Sequence, residues 1–164
     1  MYNRVVDHAL ALFRDIAHEI VWCSMATTDR RNRPRSRLVH PVWEDGADGT
    51  LTGWLTTRPT PLKLAHLEHS PYVSCSYWSP AHDVAVAECA AAWGDERERG
   101  HVWDLVRGLD PPVGFDPAPM YAGGVDAPDY AVLRLTPWRT RSARAVDLAK
   151  GAAHAVWRRA GTAS

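Results

Sequence analysis

The sequence predicts a mainly β fold, an antiparallel barrel of about six strands with helices over its openings. Short runs of β-prone residues alternate between apolar and polar side chains, as strands with one buried face do. Residues typical of turns separate these runs. Other segments space their apolar residues three and four positions apart, which predicts helices. We expect one domain over residues 1–164, with residues 141–164 as a helical extension of it.

The elements follow from these patterns in chain order. Helices are predicted over Val5–Ile20, Pro61–His69, Asp95–Arg107 and Ala143–Ala160. Strands are predicted over Trp22–Thr28, Arg35–Trp43, Thr50–Thr57, Tyr72–Trp78, Asp83–Trp93 and Tyr130–Thr140. Pro41 cannot donate to a β-ladder, so it predicts an edge, a bulge or a ligand-facing break in its strand. The Pro- and Gly-rich segment Leu109–Pro128 predicts a long irregular loop, and such loops are usually functional or disordered.

The short helix Pro61–His69 has sequence signals at both ends. Thr60 offers a capping oxygen, and proline is tolerated at the first helical position because its missing N–H would be unpaired there anyway. Pro71 disfavours helical geometry at Ser70, so the helix ends there. Lys63 follows in the first turn, where free N–H groups and threonine hydroxyls favour an anion. An ordinary cap with a solvated lysine would show the same pattern.

Arg37 is the residue of the second strand that needs an explanation. It lies at mid-strand among apolar neighbours, and a guanidinium in such a place needs a partner. A carboxylate, for example across the sheet, would satisfy it structurally. A bound phosphate would satisfy it functionally.

Composition argues against several classes of partner. The 19 basic and 19 acidic residues balance, so no net field attracts nucleic acid or an anionic membrane. No apolar run approaches membrane-spanning length, and acidic residues interrupt the amino-terminal apolar stretch, which is therefore not a signal peptide. Cys23, Cys75 and Cys89 form no CxxC motif and cannot all pair, so we interpret them as buried thiols in a reducing cytoplasm, without a metal site.

Three segments of the chain resemble the pyridoxamine-phosphate-oxidase-like proteins, a family of flavin-binding split barrels. They are RPRSRLVHPVW, then WLTT followed after five residues by Lys63, then HLEHSPYVSCSYW, and the resemblance covers about Ile20–Trp93. It implies a split β-barrel that binds FMN, or the deazaflavin coenzyme F420 as the alternative. It also implies an oxidoreductase that transfers a hydride to or from a small organic substrate.

The resemblance implies a cofactor site residue by residue. The positions that match are Arg37, Leu38, Val39, His40, Thr56, Thr57, Thr60 and Lys63. Arg37 and Lys63 would hold the phosphate, the stretch between Arg37 and His40 would follow the ring edge, and the threonines after Leu55 would contact the ribityl chain or the ring. The oxidases carry Ser-Arg just before the lysine where this chain has Pro-Leu, so Thr60 or Arg58 would replace those donors.

Two further departures argue against a true pyridoxamine phosphate oxidase. Asp83 stands about where the oxidases have a glutamine, and their carboxy-terminal Arg/His substrate motif is not recognisable. No catalytic acid or base is predicted, since no Ser-His-Asp, paired-carboxylate or metal-ligand pattern is present. A non-catalytic protein that stores or senses flavin, deazaflavin or haem is the alternative. The conceivable haem ligands are His40, His66, His69 and His82.

A homodimer with the cofactor at its interface is also implied by the resemblance. Trp78, Trp93 and Trp138 offer apolar material for that interface, although all three would serve equally as core residues. His8 and His18, on the first predicted helix, are expected at the surface.

Overall fold

The computed structural model describes residues 7–161. Its helices are α1 (His8–Ile20), α2 (Pro61–His69), α3 (Glu96–Gly108) and α4 (Ala145–Leu148). Its strands are β1 (Cys23–Thr28), β2 (Pro34–Val39), β3 (Val42–Asp45), β4 (Leu51–Thr57), β5 (Tyr72–Trp78), β6 (Val84–Trp93), β7 (Ala131–Ala143) and β8 (Ala155–Arg158). All strand pairs are antiparallel, in the order β2-β1-β5-β6-β7-β4-β3, and β8 pairs with β7. The predicted mainly β antiparallel fold with flanking helices is confirmed.

The two edges of this sheet are consecutive in the chain. β2 opens the strand order and β3 closes it, yet only His40 and Pro41 separate them. Three Cα–Cα steps span at most about 11 Å, so the sheet must curve until its edges approach each other. Within residues 7–161 no ladder joins β2 to β3, so the sheet does not close into a continuous barrel, and we call the gap between these two edges the seam. The break predicted at Pro41 is therefore confirmed, as proline has no N–H to give a ladder.

The core lies between α1 and the inner face of the sheet. Phe13 packs its ring edge-on against Trp43, with ring centroids 4.8 Å apart. The indole N–H of Trp43 donates to the hydroxyl of Tyr77 at 2.8 Å, so this buried polar pair is satisfied. A second cluster around Trp103 and Tyr130 packs α3 and the following loop on the sheet.

The local predictions agree closely with the structure in the middle of the chain. α2 begins at Pro61, has Thr60 as its cap and ends at His69. Asp95 caps α3 in a capping box with Glu98, and a long loop with a single 3₁₀ turn at Gly124–Asp126 follows it. The three cysteines are free and buried, as predicted. None of the helices within residues 7–161 has the length and apolar character needed to cross a bilayer.

The predicted helix over Ala143–Ala160 is wrong. The Asp83 carboxylate accepts the Ala145 N–H at 2.9 Å and pairs with Arg144, which anchors one helical turn, and Gly151 at φ +88° then redirects the chain. Residues 155–158 pair with β7 as β8, because the edge of β7 beyond β4 is open to another strand.

Smaller differences concern the amino-terminal region. α1 is described from His8, so the part of the predicted helix that includes Val5 lies outside the described residues. His8 is exposed, as predicted. His18 is half-buried and accepts the Trp43 N–H on its Nε2 at 3.0 Å, so its predicted surface position is wrong.

Residue 53 has to be a glycine because the ring of Trp43, its partner in the β3–β4 ladder, leaves no space for a side chain. A Cβ at Gly53 would lie 2.8 Å from Cζ3 of Trp43, a ring that Phe13 and Tyr77 hold in place. We expect Gly53→Ala to lower the free energy of unfolding by about 1–3 kcal/mol in urea titrations. Gly100→Ala, in a helix position with open space, should instead raise it by about 0.5–1 kcal/mol. Equal stability of Gly53→Ala and the wild type would contradict this packing.

Candidate anion-binding pocket

A cavity of about 710 Å³ opens at this seam, and β2 and the end of β4 contribute to its lining. β3 pairs with Leu51–Trp54 of β4, and among residues 7–161 the rest of β4, Leu55–Thr57, has no ladder partner on that side. The cavity is therefore a direct result of the split in the barrel. Its volume is in the range of small-molecule sites, about 300–1,000 Å³.

The structure brings all eight predicted site residues to this cavity. β2 and the residue after it contribute Arg37, Leu38, Val39 and His40 to the lining; β4 contributes Thr56 and Thr57; and the start of α2 contributes Thr60 and Lys63. Residues that are far apart in the chain thus share one wall. Their proximity is observed, whereas their role toward a cofactor stays a prediction.

Two half-buried cations face this cavity with neutral partners. Arg37 donates from Nη1 to the hydroxyl oxygen of Thr27 at 2.9 Å. Lys63 donates from Nζ to the hydroxyl of Thr57 and to the carbonyl oxygen of Arg58, the latter at 3.2 Å. Within the described part of the chain, neither Arg37 nor Lys63 forms an ion pair. The carboxylate partner considered for Arg37 is therefore not found.

The surroundings of Lys63 and Arg37 disfavour the charged forms of both side chains. Burial lowers the pKa of Lys63, and the positive charges of Arg37 and Arg58 lower it further. Burial also lowers the pKa of Arg37, with a smaller contribution from Arg35. A bound anion would offset both effects, because a nearby negative charge favours the protonated forms of Arg37 and Lys63, so the wall is suited to a phosphate.

Thr60 and Arg58 differ in their availability to an anion. The hydroxyl oxygen of Thr60 caps α2 by accepting the Lys63 N–H at 3.4 Å, which leaves its own proton free to donate. Arg58 is occupied by the loop, because it bonds Asp129 at 3.0 Å and the Met120 carbonyl at 2.6 Å. Its guanidinium also lies over the Tyr121 ring. Of the two donors expected to replace Ser-Arg, only Thr60 is free.

Three aromatic rings, those of Trp22, His40 and Phe115, form another part of the lining. His40 lies between Trp22 and Phe115, with ring centroids 5.5 and 5.1 Å away. Burial lowers the pKa of His40 and outweighs a hydrogen bond with the Val113 backbone that raises it. Its Nε2 is buried and has no hydrogen-bond partner among the described residues. A neutral imidazole with an unused ring nitrogen is thus adjacent to the cavity.

Sequence reasoning missed Trp22 and the loop residues. The additional lining residues are Trp22, Leu55, Arg58, Pro112, Phe115, Asp116, Met120 and Tyr121. The length of the Pro- and Gly-rich loop was the available signal, since loops of that length are usually functional or disordered. No pattern in the sequence indicated which of its side chains would reach the cavity.

The four histidines considered for haem do not converge. His66 bonds Thr27, His69 bonds Asn32 and His82 packs on Trp78, so among the four only His40 lines the cavity. No group of three His, Cys, Asp or Glu side chains within residues 7–161 is arranged to hold a metal ion.

No family model matches the sequence, and no curated protein matches it. Solved structures do match. An FMN-binding protein related to pyridoxamine 5'-phosphate oxidase, from Nostoc punctiforme, has a TM-score of 0.52 at 14% identity, over 82% of this chain and 80% of that chain. An F420 reductase has a TM-score of 0.56 at 15% identity, over 83% of this chain and 98% of that chain.

A haem-binding protein from Mycobacterium smegmatis has a TM-score of 0.62 at 19% identity, over 94% of this chain and 59% of that chain. Identities this low show the fold alone. The chain has the split-barrel fold of the pyridoxamine-phosphate-oxidase-like proteins. The predicted resemblance is confirmed at that level.

The lowered pKa of Lys63 predicts a pH dependence of stability. Between its folded pKa and the ordinary value of 10.5, the unfolded chain binds more protons than the folded one. Stability therefore rises with pH in that window. Measured by urea unfolding at increasing pH up to the ordinary lysine pKa of 10.5, the wild type should gain stability relative to Lys63→Met, in which this titration is absent. If the stability difference between the wild type and Lys63→Met stayed constant or fell with pH, Lys63 would not be a half-buried lysine without an ion pair.

Proposed function

We propose that this chain is an oxidoreductase that binds FMN, or F420 in its place, in the seam cavity and transfers a hydride to or from a small organic substrate. The observation that carries the proposal is the pair Arg37 and Lys63. Both cations are half-buried at one cavity wall, and neither is paired with a carboxylate among the described residues. A phosphate would supply the missing counter-charge through charge-assisted hydrogen bonds.

The chain's own residues would bind and orient the cofactor. Arg37 and Lys63 would hold the phosphate, with the free proton of Thr60 as a further donor. The backbone of Leu38 and Val39 at the end of β2 would follow the ring edge, and Thr56 and Thr57 would contact the ribityl chain or the ring. The bound cofactor would supply the hydride chemistry, while the protein would bind it and orient its ring.

The structural comparisons support both cofactor choices. One similar structure is an FMN-binding protein and another is an F420 reductase. In both cofactors a ribityl chain joins a planar tricyclic ring to a phosphate group, so the cation pair and the aromatic rings around His40 suit either one. We place FMN first because the matched segments resemble flavin-binding split barrels.

A homodimer with this cavity at its interface is part of the proposal. Leu38 is 75% exposed and Trp22 is 58% exposed, and both line the cavity. Adjacent exposed apolar side chains of this size are typical of interaction surfaces. Trp78 is exposed too, but it does not line the cavity, and Trp93 and Trp138 are half-buried.

Sedimentation velocity tests the dimer. The wild type should sediment as a dimer and Leu38→Glu as a monomer, because a charge would be buried without a partner. Val146→Glu is the matched control, since Val146 is 64% exposed on α4, away from the cavity. A wild type that stays monomeric at every concentration would refute the interface.

Titration of the purified protein with FMN and with F420, followed by fluorescence, tests the cofactor. Arg37→Ala and Lys63→Ala should each weaken binding about 10- to 100-fold, as expected for the loss of a hydrogen bond between charged groups. Arg97→Ala removes the same charge from an exposed site on α3 and should bind like the wild type. Unchanged affinity in Lys63→Ala would refute the phosphate assignment.

Haem storage or sensing is the second candidate, and His40 is the observation that favours it. It lines the cavity, its Nε2 has no hydrogen-bond partner among the described residues, and a similar structure is a haem-binding protein. Added hemin should then give a shifted Soret band that His40→Ala abolishes. Binding of hemin without binding of FMN or F420 would favour this function over catalysis.

A further inference from the structure

Thr27 connects Arg37 to a buried histidine. Its hydroxyl oxygen lies 2.9 Å from Arg37 Nη1 and 2.8 Å from His66 Nδ1. Thr27 is 1% exposed and His66 is 4% exposed, and neither residue lines the seam cavity. A buried hydroxyl thus bonds one cation of the cavity, and a buried histidine bonds that hydroxyl.

The connection joins three elements of the fold. Met25 of β1 is the ladder partner of Arg37 on β2, so Thr27 is its diagonal neighbour on the same face of the sheet. His66 comes from α2, one turn after Lys63. The hydroxyl of Thr27 therefore ties the cation of β2 to the helix that carries the second cation.

The donors and acceptors of Arg37, Thr27 and His66 indicate the direction of these two hydrogen bonds. A guanidinium only donates, so the Thr27 oxygen accepts from Arg37. The hydroxyl proton of Thr27 is then available to donate to His66 Nδ1 when the His66 proton is on Nε2. No carboxylate is needed, and the guanidinium keeps its positive charge for a ligand.

We propose that Thr27 and His66 are positioning residues of the anion site, which hold the Arg37 guanidinium in its phosphate-binding orientation. The proposal rests on the proposed function. A free arginine side chain loses considerable rotamer freedom when it binds a ligand. Fixing it beforehand through Thr27 removes much of that loss from the binding step.

The test compares FMN with riboflavin, which lacks only the phosphate. The Thr27→Val variant keeps the shape of the side chain but removes the hydroxyl. It should bind FMN roughly tenfold more weakly, as expected for a disrupted charged hydrogen bond, and riboflavin within about twofold of the wild type. Thr27→Ser should restore the wild-type ratio of the two affinities. If F420 is the cofactor, its affinity is compared with that of the deazaflavin that lacks the whole phosphate-bearing tail.

Thr140→Val is the matched control. Thr140 is a fully buried strand threonine whose hydroxyl has no partner among the described residues and which does not line the cavity. It should leave the FMN to riboflavin ratio unchanged. If Thr27→Val weakens both ligands equally, or neither, the positioning role is overturned.

A second measurement needs no cofactor. The ¹⁵N resonances of His66 in the free protein should show an unprotonated Nδ1 that accepts a hydrogen bond, and Thr27→Val should shift them. An unchanged His66 spectrum would overturn the connection whatever the affinities are. A wild type that shows the connection but binds neither FMN nor F420 would instead refute the proposed function.

Discussion

His40 and Pro41 join the two edges of a single sheet, and most of the structure depends on this constraint. Because two residues are all that separate β2 from β3, the sheet has to curl until its edges approach each other. Proline cannot extend either ladder, so the edges meet without pairing. The sheet is therefore a split barrel whose two edges are connected only by the chain, and the cavity lies where the sheet is open. The core then forms on the concave side, where α1 covers it.

The cavity wall shows a different balance of forces from the core. Burying a charge is costly unless it is paired, yet Arg37 and Lys63 are half-buried with hydroxyl and carbonyl partners only. These neutral partners orient the cations without neutralising them. In the function proposed above, a bound phosphate would supply the missing negative charge and so stabilise the folded protein. The function proposed above therefore rests on two cations without a counter-charge among the described residues, and not on a catalytic motif.

The remaining side of the cavity is formed by the long loop, which is packed and not merely a connection. Tyr121 and Tyr130 stack edge-on in the second hydrophobic cluster, next to Trp103 of α3. Arg58 bonds the loop at Met120 and Asp129, and so links it to the end of β4. The loop residues at the cavity are thus held by contacts on both sides. A planar ligand in the seam would meet a formed wall, which favours binding without large rearrangement.

By itself the sequence determined the local geometry of the chain. The cap at Thr60, the end of α2 before Pro71 and the break at Pro41 follow from side-chain and backbone properties of a few neighbouring residues, and the structure agrees with each. The eight candidate residues were placed by resemblance, and the tertiary structure decided that they share one cavity, because only the curvature of the sheet brings β2, β4 and α2 together. Tertiary pairing also overrode the helical pattern after Ala143, where an open edge of β7 offered a ladder. The contact of Thr27 with His66 had no sequence signal, since it joins residues 39 positions apart in the chain.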